Sequence, residues 1–283
     1  MENKISSKLN ENGELIKFRS VDYSHPNGVV ALKDVTLSIR SGELVAILGT
    51  NGAGKSTLVR HLNGILKPTH GTVTVFGDDT RKTTPAKLSR IVGIVFQNPN
   101  NQLFAQTVRK EIEFALRNFR FDEEKIKARI DWALDTFSLR QYEDRAPMEL
   151  SGGEKKRLCV ALVLAWDPGV LILDEPTVGQ DSEQKEKLRQ IITSLVSQKK
   201  TVLVVTHDIE FVWPLQPRVL LMSQGKIIAD GDSQSIMRNN PLLESANILE
   251  PQLVELSRLV GWRNKLPKDP IEAKSFIDGS IVI

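Results

Sequence analysis

The chain contains a single cysteine, Cys159, among its 283 residues. One cysteine excludes an intramolecular disulfide and any metal site that is built from several thiolates. Because Cys159 lies in the apolar run 158–164, where a helix is expected, we expect it to be a small core residue that carries no chemistry.

Long apolar stretches are also missing from the sequence. No segment approaches the roughly 20 apolar residues that span a bilayer, and residues 1–14 are polar and lack the apolar segment of a secretory signal. The sequence therefore predicts a protein that stays in the cytoplasm, so that any passage through a membrane has to be provided by other chains.

Neither sign of charge is in excess. The 38 Lys and Arg residues nearly balance the 35 Asp and Glu residues, and no basic block is present. Nucleic acid is therefore not an expected partner, whereas a peripheral contact with a membrane protein stays compatible with the composition. The length and the 40% of hydrophobic residues suit one large domain with an appendage, or two small domains.

What the sequence does contain is a glycine-rich loop between a buried strand at 44–48 and a helix at 58–62. The loop consists of Gly49, Thr50, Asn51, Gly52, Ala53, Gly54, Lys55, Ser56 and Thr57. Its backbone N–H groups can surround phosphates, Lys55 can reach the outer phosphates, and the Ser56 hydroxyl can hold Mg²⁺. This spacing favours a nucleoside triphosphate site over a turn without a ligand, but it does not separate kinases, GTPases and ATPases.

The elements around this loop alternate between strands and helices. Strands are predicted at 14–24, 31–39, 71–77 and 91–96, and helices at 107–118 and 122–137. The two helices interrupt the alternation, which indicates a helical subdomain inserted into an α/β core. Tyr23, at the end of the first strand, either stacks on a nucleobase or is a half-buried tyrosine of an edge strand.

A polar loop interrupted by proline follows the strand 91–96. It runs from Gln97 to Phe104 and ends in two large apolar residues, Leu103 and Phe104. We expect this loop, including both apolar side chains, to be exposed.

Two further groups of residues follow the helical section. Leu150 to Glu154 places two glycines before an apolar helix, which makes either an anion site or a flexible hinge. The apolar strand 169–173 ends in Asp174 and Glu175, at the edge where open α/β sheets bind ligands. Asp174 can bind hydrated Mg²⁺ and Glu175 can accept a proton from water, unless the pair is an ordinary acidic turn. The strand 201–205 delivers His207 to the same edge, where a lone histidine is more often structural.

Taken together, these motifs resemble the ATP-binding cassette ATPases over roughly residues 14–240. The resemblance rests on the phosphate loop 49–57, Gln97, the signature 150–154, Asp174 with Glu175, the loop 178–181, and His207. The segment 96–104 is similar to the corresponding loop of energy-coupling-factor transporter ATPases, which drive uptake of vitamins or of cobalt and nickel. Gln180 and Glu154 depart from the family, which often has an apolar residue and a glutamine at these positions.

The resemblance implies a role for each motif. Tyr23 would stack on adenine, Ser56, Gln97 and Asp174 would hold Mg²⁺, Glu175 would polarise the attacking water, and His207 would contact the γ-phosphate. Lys55 would act with them in catalysis. Two cassettes would face each other head to tail, so that Ser151, Gly152 and Gly153 complete the nucleotide site of the partner.

The resulting expectation is an α/β P-loop NTPase core with an antiparallel β subdomain, a helical subdomain at about 98–166 and a C-terminal extension. The cassette would occupy 1–240 and a helical extension 241–283, with an apolar stripe at Leu253, Leu256 and Val260 and an apolar tail at 281–283. The expected function is an ATPase at the cytoplasmic side of the cell membrane, working with a second cassette, an integral membrane transport component and a substrate-binding membrane component. A soluble cassette protein acting on nucleic acid or ribosomes, the ATPase of another importer class, and a nucleotide kinase are the alternatives.

Overall fold

Two β-sheets share the core of the protein in a computed structural model that describes residues 13–262 and 265–277. The strands are β1 (Glu14–Ser24), β2 (Val30–Arg40), β3 (Leu44–Leu48), β4 (His70–Val75), β5 (Asp78–Asp79), β6 (Val92–Val95), β7 (Val170–Asp174), β8 (Thr201–Thr206), β9 (Arg218–Ser223) and β10 (Lys226–Asp232). The predicted apolar tail at 281–283 lies outside the described residues.

The first sheet is antiparallel and has the order β2-β1-β4-β5. Its strands alternate buried and exposed positions, as expected of a sheet with one face on the core. The predictions of strands at 14–24 and 31–39 are confirmed to within one residue at each end.

The second sheet has the order β10-β9-β3-β8-β7-β6, in which β6, β7, β8, β3 and β9 are parallel and β10 is antiparallel. Its central strands are buried at nearly every position, because both faces are covered. Since β3 and β7 run in the same direction, the loop after Leu48 and the carboxylates after Leu173 emerge at one edge of the sheet.

Helices cover the second sheet and form a separate group in the middle of the chain. They are α1 (Lys55–Arg60), α2 (Pro85–Ser89), α3 (Val108–Asn118), α4 (Glu123–Thr136), α5 (Gly152–Ala165), α6 (Ser182–Ser197), α7 (Ile209–Val212), α8 (Ser233–Met237), α9 (Asn240–Ser245), α10 (Gln252–Leu259) and α11 (Pro270–Ile277). Within the described ranges, no helix combines the length and the apolar character needed to cross a membrane.

Side chains on the two faces of the second sheet belong to two different cores. Val45 and Ile47 point toward the antiparallel sheet and α1, whereas Ala46 and Leu48 point toward the helical group. This period of two along β3 makes the sheet the wall between the two cores. Cys159 is fully buried in the second of them, and burial raises the pKa of its thiol to about 12, as expected for an inert core residue.

The segment after residue 240 packs on the rest of the chain rather than extending away from it. Leu243, Val254 and Leu266 are buried in the helical core, and the Trp213 indole Nε1 donates to the carbonyl of Pro267 at 2.9 Å. Of the predicted apolar stripe on α10, Leu253 packs against this core, while Leu256 and Val260 are exposed.

Candidate nucleotide site

The loop 49–54 between β3 and α1 has a backbone that side chains would block. Gly54 has a φ of 102°, and a Cβ there would lie 2.6 Å from the carbonyl oxygen of Ala31. A Cβ on Gly49 would lie 2.4 Å from the carbonyl oxygen of Met222. Glycine is therefore required at both positions, and the chain can make the tight curl into α1 that presents backbone N–H groups to an anion.

Lys55 and Ser56 extend from the first turn of α1 toward the carboxyl ends of β3 and β7. The Lys55 ammonium is buried and donates to the carbonyl oxygens of Gly49 at 2.6 Å and Thr50 at 3.2 Å. Ser56 Oγ donates to Asp174 Oδ1 at 3.1 Å. Burial raises the pKa of Asp174, and this hydrogen bond from Ser56 opposes the rise. A cation and a hydroxyl–carboxylate pair thus lie side by side below the loop.

Glu175 is the centre of a compact group of polar contacts. Its Oε2 accepts from Thr206 Oγ1 at 3.1 Å and lies 3.0 Å from His207 Nδ1, while its Oε1 is 3.6 Å from Lys55 Nζ. Glu175 is buried, whereas His207 is 54% exposed. Sequence reasoning singled out His207 but missed Thr206, whose hydroxyl also accepts from the backbone N–H of Asp208. The structure therefore brings Lys55, Glu175 and His207 together at the sheet edge.

Gln97 lies across a cavity of about 260 Å³ from Ser56 and Asp174. Its amide oxygen, the Ser56 hydroxyl and the Asp174 carboxylate are the hard oxygen donors that suit Mg²⁺, which prefers few protein ligands together with waters and phosphate oxygens. Among the described residues, no group of three or more His, Cys, Asp or Glu side chains is arranged to hold a metal ion. The donor set at this cavity therefore fits a nucleotide-associated Mg²⁺ rather than a metal caged by the protein alone.

The prediction that Tyr23 stacks on adenine is wrong for the structure. Tyr23 is only 7% exposed, and its ring packs edge to face against His25 and His61, each with a centroid separation of 5.0 Å. Its alternating position on β1 turns the side chain into the core. The alternative of a half-buried tyrosine on an edge strand is also wrong, because Tyr23 is buried and β1 pairs with β2 and β4 on its two sides. His25, half-buried at the end of the same strand, is the ring next to it on the outer side.

The expectation that both Leu103 and Phe104 are exposed is wrong for Leu103. Leu103 is 3% exposed and belongs to the helical core, whereas Phe104 is 64% exposed. The backbone N–H groups of Phe104 and Ala105 donate to Glu111 Oε2 at 2.8 and 2.7 Å, which fixes the end of the loop on α3. A carboxylate one helical turn into α3 gave no signal in the sequence for this role.

The signature residues lie on a different surface from the phosphate loop. Ser151 caps α5, and its backbone N–H donates to Glu154 Oε2 at 2.7 Å while its hydroxyl accepts from Glu154 N. This reciprocal capping explains why a glutamate fits where glutamine is frequent. Ser151 and Gly152 are exposed, and the cavity of about 270 Å³ beside them is lined by Gly179 to Asp181.

The C-terminal segment reaches the mouth of the nucleotide site, which the sequence did not predict. A cavity of about 1340 Å³ is lined on one side by Gly49 to Asn51 and His207, and on the other by Asn247 to Glu250. The backbone N–H of Gln252 donates to Glu210 Oε1 at 2.7 Å and holds this segment against α7.

Comparisons with known proteins show the family to which the chain belongs. The sequence profile of the ABC transporter family matches residues 32–178. The chain is 40% identical over 244 residues to the energy-coupling factor transporter ATP-binding protein EcfA of Methanothermobacter thermautotrophicus, which covers 86% of this chain and 78% of that protein. It is 38% identical over 254 residues to EcfA of Methanococcus maripaludis, with 89% and 91% covered.

Solved structures give the same result. CbiO1 from Clostridium perfringens, described as part of the ABC transporter complex CbiONQ, superposes with a TM-score of 0.73 at 34% identity and covers 88% of this chain and 99% of that one. The ATP-binding cassette MJ0796, a dimer bound to ADP and Pi, superposes with a TM-score of 0.70 at 30% identity, with 77% and 98% covered. The profile match, the relatives and the shared fold show that this chain is an ATP-hydrolysing cassette and belongs to the ABC transporter family.

Proposed function

We propose that this ABC ATPase is the energy-coupling subunit of a membrane importer of the energy-coupling-factor type, which drives uptake of a vitamin or a transition-metal ion. The names of the EcfA and CbiO relatives support this importer class. The observation that carries the proposal is a pair of exposed aromatic side chains at the end of the loop that begins with Gln97.

This pair consists of Phe104 on the loop and Phe114 on α3. Their rings pack edge to face with a centroid separation of 4.8 Å, and they are 64% and 48% exposed. Two adjacent large aromatic side chains in water make a patch that favours an apolar partner surface. A membrane component with an apolar side chain between these rings would be held close to Gln97.

The loop that joins Gln97 to this pair is braced at both ends. Gln102 Oε1 accepts from the backbone N–H of Phe96 at 3.3 Å, and Glu111 holds the backbone N–H of Phe104 and Ala105. Buried Leu103 anchors the loop between these two contacts. A displacement of Gln97 would therefore also move Phe104, because the loop between them is held in one conformation.

At the nucleotide, the chain's own residues supply most of the catalytic groups. Backbone N–H groups of the loop 49–54 and Lys55 bind the phosphates, and Glu175 orients and deprotonates the attacking water. His207 positions Glu175 and contacts the γ-phosphate. Ser56, Gln97 and Asp174 would hold Mg²⁺, which neutralises charge that develops on the transferred phosphoryl group. We assign the adenine-stacking role to His25, because the ring of Tyr23 is buried behind it.

The site is completed by a second cassette chain, identical or homologous. Ser151 and Gly152 are exposed, Gly153 is half-buried, and Ser151 and Gly153 line a cavity separate from those at the phosphate loop of their own chain. In this proposal, they donate hydrogen bonds to the γ-phosphate of the opposing chain. Exposed Leu249, Leu256 and Val260 continue from the mouth of the nucleotide site along α10, and we propose that they extend the contact between the two cassettes. The importer also needs an integral membrane transport component and a substrate-binding membrane component, so the cassette would sit peripherally on the cytoplasmic side of the cell membrane.

Co-purification from a detergent extract tests the proposal. The tagged wild-type chain should retain an integral membrane protein, and changing Phe104 and Phe114 together to serine should abolish this retention while ATP binding by the free subunit is kept. Ile271→Ser, which removes an even more exposed apolar side chain on α11, is the control and should retain the partner. Recovery of RNA instead of a membrane protein, or unchanged retention by the double variant, would contradict the importer assignment.

A further inference from the structure

Lys156 makes an unusual set of contacts for a lysine near the start of a helix. It lies on α5, just after the signature residues, and is half-buried. Its Nζ donates to the carbonyl oxygens of Glu175 at 3.4 Å and Pro176 at 3.3 Å, and also to that of Val178. A lysine ammonium has three donors, and here each one has a backbone carbonyl as its acceptor.

The segment that Lys156 contacts is the one that follows the catalytic carboxylate. Glu175 itself has a φ of 49°, a left-handed conformation that costs energy for a residue with a side chain. Its N–H is held by the carbonyl of Val205 at 2.8 Å, and Pro176 has no N–H to donate. Lys156 therefore holds the backbone carbonyl groups of this strained turn, whereas β8 holds the backbone N–H of Glu175.

Arg157 provides a second polar contact between the start of α5 and its surroundings. Arg157, the next residue of α5, donates from Nη1 to Gln184 Oε1 on α6 at 3.2 Å. Next to these two ties lies a cleft of about 400 Å³ between α5 and α6, with Phe96 and Gln180 on its walls. Because this cleft interrupts the packing between the start of α5 and α6, the polar contacts of Lys156 and Arg157 are the ties that connect this end of α5 to the segment 175–178 and to α6.

We propose that Lys156 is a positioning residue that couples the signature of each chain to the catalytic carboxylate of the same chain. The inference rests on the shared-site part of the proposed function. When Ser151 and Gly153 engage the ATP of the opposing cassette, α5 shifts, and Lys156 carries this shift to the backbone of Glu175. ATP at one site thereby adjusts the water-activating group of the other site, so the two sites hydrolyse cooperatively.

Steady-state ATP hydrolysis by the full chain, measured against MgATP concentration, tests this coupling. Lys156→Met keeps the aliphatic stem and removes the three donors, whereas Lys156→Arg keeps donors and charge. Lys187→Met is the matched control, because Lys187 borders the same cleft but pairs with Glu183 on its own helix. Thermal melting and binding of a fluorescent ATP analogue to the single chain show whether each variant is folded.

We expect Lys156→Met to lower kcat about tenfold and to reduce the Hill coefficient for ATP toward one, with nucleotide affinity of the single chain changed less than about twofold. Lys156→Arg should keep more than half of the wild-type kcat, and Lys187→Met should behave as wild type. An unchanged kcat and Hill coefficient in Lys156→Met would overturn the inference, as would an equal loss in Lys156→Arg or a loss matched by weaker nucleotide binding and a lower melting temperature. A wild-type chain without sigmoidal kinetics, both alone and with a partner cassette, would instead contradict the shared site itself, and the inference with it.

Discussion

Glu175 combines a strained backbone with side-chain contacts to three residues, Lys55, Thr206 and His207. A φ of 49° costs about 1 to 3 kcal/mol for a residue other than glycine, and the surrounding contacts with Lys55, Thr206 and His207 hold it there. In this conformation the carboxylate lies 3.6 Å from Lys55 of the phosphate loop. Because Glu175 follows an apolar strand, the sequence predicted that its carboxylate lies at the edge of the sheet. No feature of the sequence predicted the left-handed backbone conformation of this residue.

His207→Ala tests whether the contact with Glu175 matters for chemistry. Without the imidazole, Glu175 loses the neighbour at 3.0 Å that orients it, so kcat should fall on the order of ten- to a hundredfold. ATP affinity should change little, since binding depends mainly on the phosphate loop. Steady-state hydrolysis and equilibrium ATP binding measure the two quantities, and wild-type turnover would show that His207 is only structural.

The buried carboxyl of Glu111 predicts how the stability of the protein depends on pH. Burial raises the pKa of its carboxyl above the ordinary value of 4.5, and the backbone N–H groups of Ala105 and Phe104 oppose the rise. The folded state therefore binds this proton more tightly than the unfolded state, so its contribution to stability is fully present below about pH 4.5 and is lost as pH rises through the folded pKa.

The stability of the wild type relative to Glu111→Gln should accordingly decrease between pH 4.5 and 7. Urea unfolding of both proteins at several pH values measures this difference. A difference that is constant with pH, or that grows as pH rises, would contradict burial as the main cause of the raised pKa.

At the scale of elements, the loop from Gln97 to Phe104 separates two side chains that look alike in the sequence. Leu103 enters the helical core, because Pro99 starts a 3₁₀ turn over 99–101 that turns the chain back toward α3. Phe104 then points outward beside Phe114. The run of polar residues with a proline predicted a loop. The direction of each side chain, however, depends on contacts between the loop and α3, which the sequence pattern did not predict.

Alanine substitutions at these two positions should therefore differ in their effect on stability. Leu103→Ala removes a buried side chain and should lower the free energy of unfolding by about 2 to 5 kcal/mol. Phe104→Ala should change it far less, because most of the ring is already in water. Denaturant unfolding of both variants compares them, and an equal loss of stability would contradict the placement of Leu103.

Strands and helices with a clear pattern of apolar residues could be predicted from the sequence. The features that could not be predicted depend on tertiary contacts. The strands 14–24, 170–174 and 201–206 and the helices α3 and α4 follow from the spacing of apolar residues. The burial of Tyr23 could not be predicted in this way, because an alternating strand leaves open which of its two faces is buried until the position of its sheet is known. The same holds for the segment 247–250, which reaches the nucleotide site only through the packing of α10 on the cassette.

On the scale of the whole molecule, the phosphate loop and the signature line separate cavities of one chain. Residues of the phosphate loop, Asp174 and His207 line one group of cavities, and the signature lines another with Gly179 to Asp181. The sequence predicted this division through the resemblance to the family, and the structure of the single chain supplies the separate surfaces. Two chains arranged head to tail would bring each half to its complement, so ATP occupancy would control the distance between the cassettes.

Trapping an ATP-bound dimer with Glu175→Gln is the most direct test of this shared site. Glutamine keeps the size of the side chain but cannot accept the proton from water, so hydrolysis should slow on the order of a hundredfold or more while ATP affinity is nearly unchanged. Bound ATP then keeps recruiting the opposing signature, and the missing charge at Glu175 lowers repulsion across the seam.

Size-exclusion chromatography with light scattering, at saturating ATP and Mg²⁺, is the decisive measurement. Glu175→Gln should elute as a dimer with ATP and as a monomer without it. Adding Ser151→Arg should restore the monomer, because the larger cationic side chain clashes with the opposite phosphate loop. A Glu175→Gln chain that stays monomeric with ATP, both alone and with a partner cassette, or that hydrolyses ATP at the wild-type rate, would contradict both the role of Glu175 and the shared site.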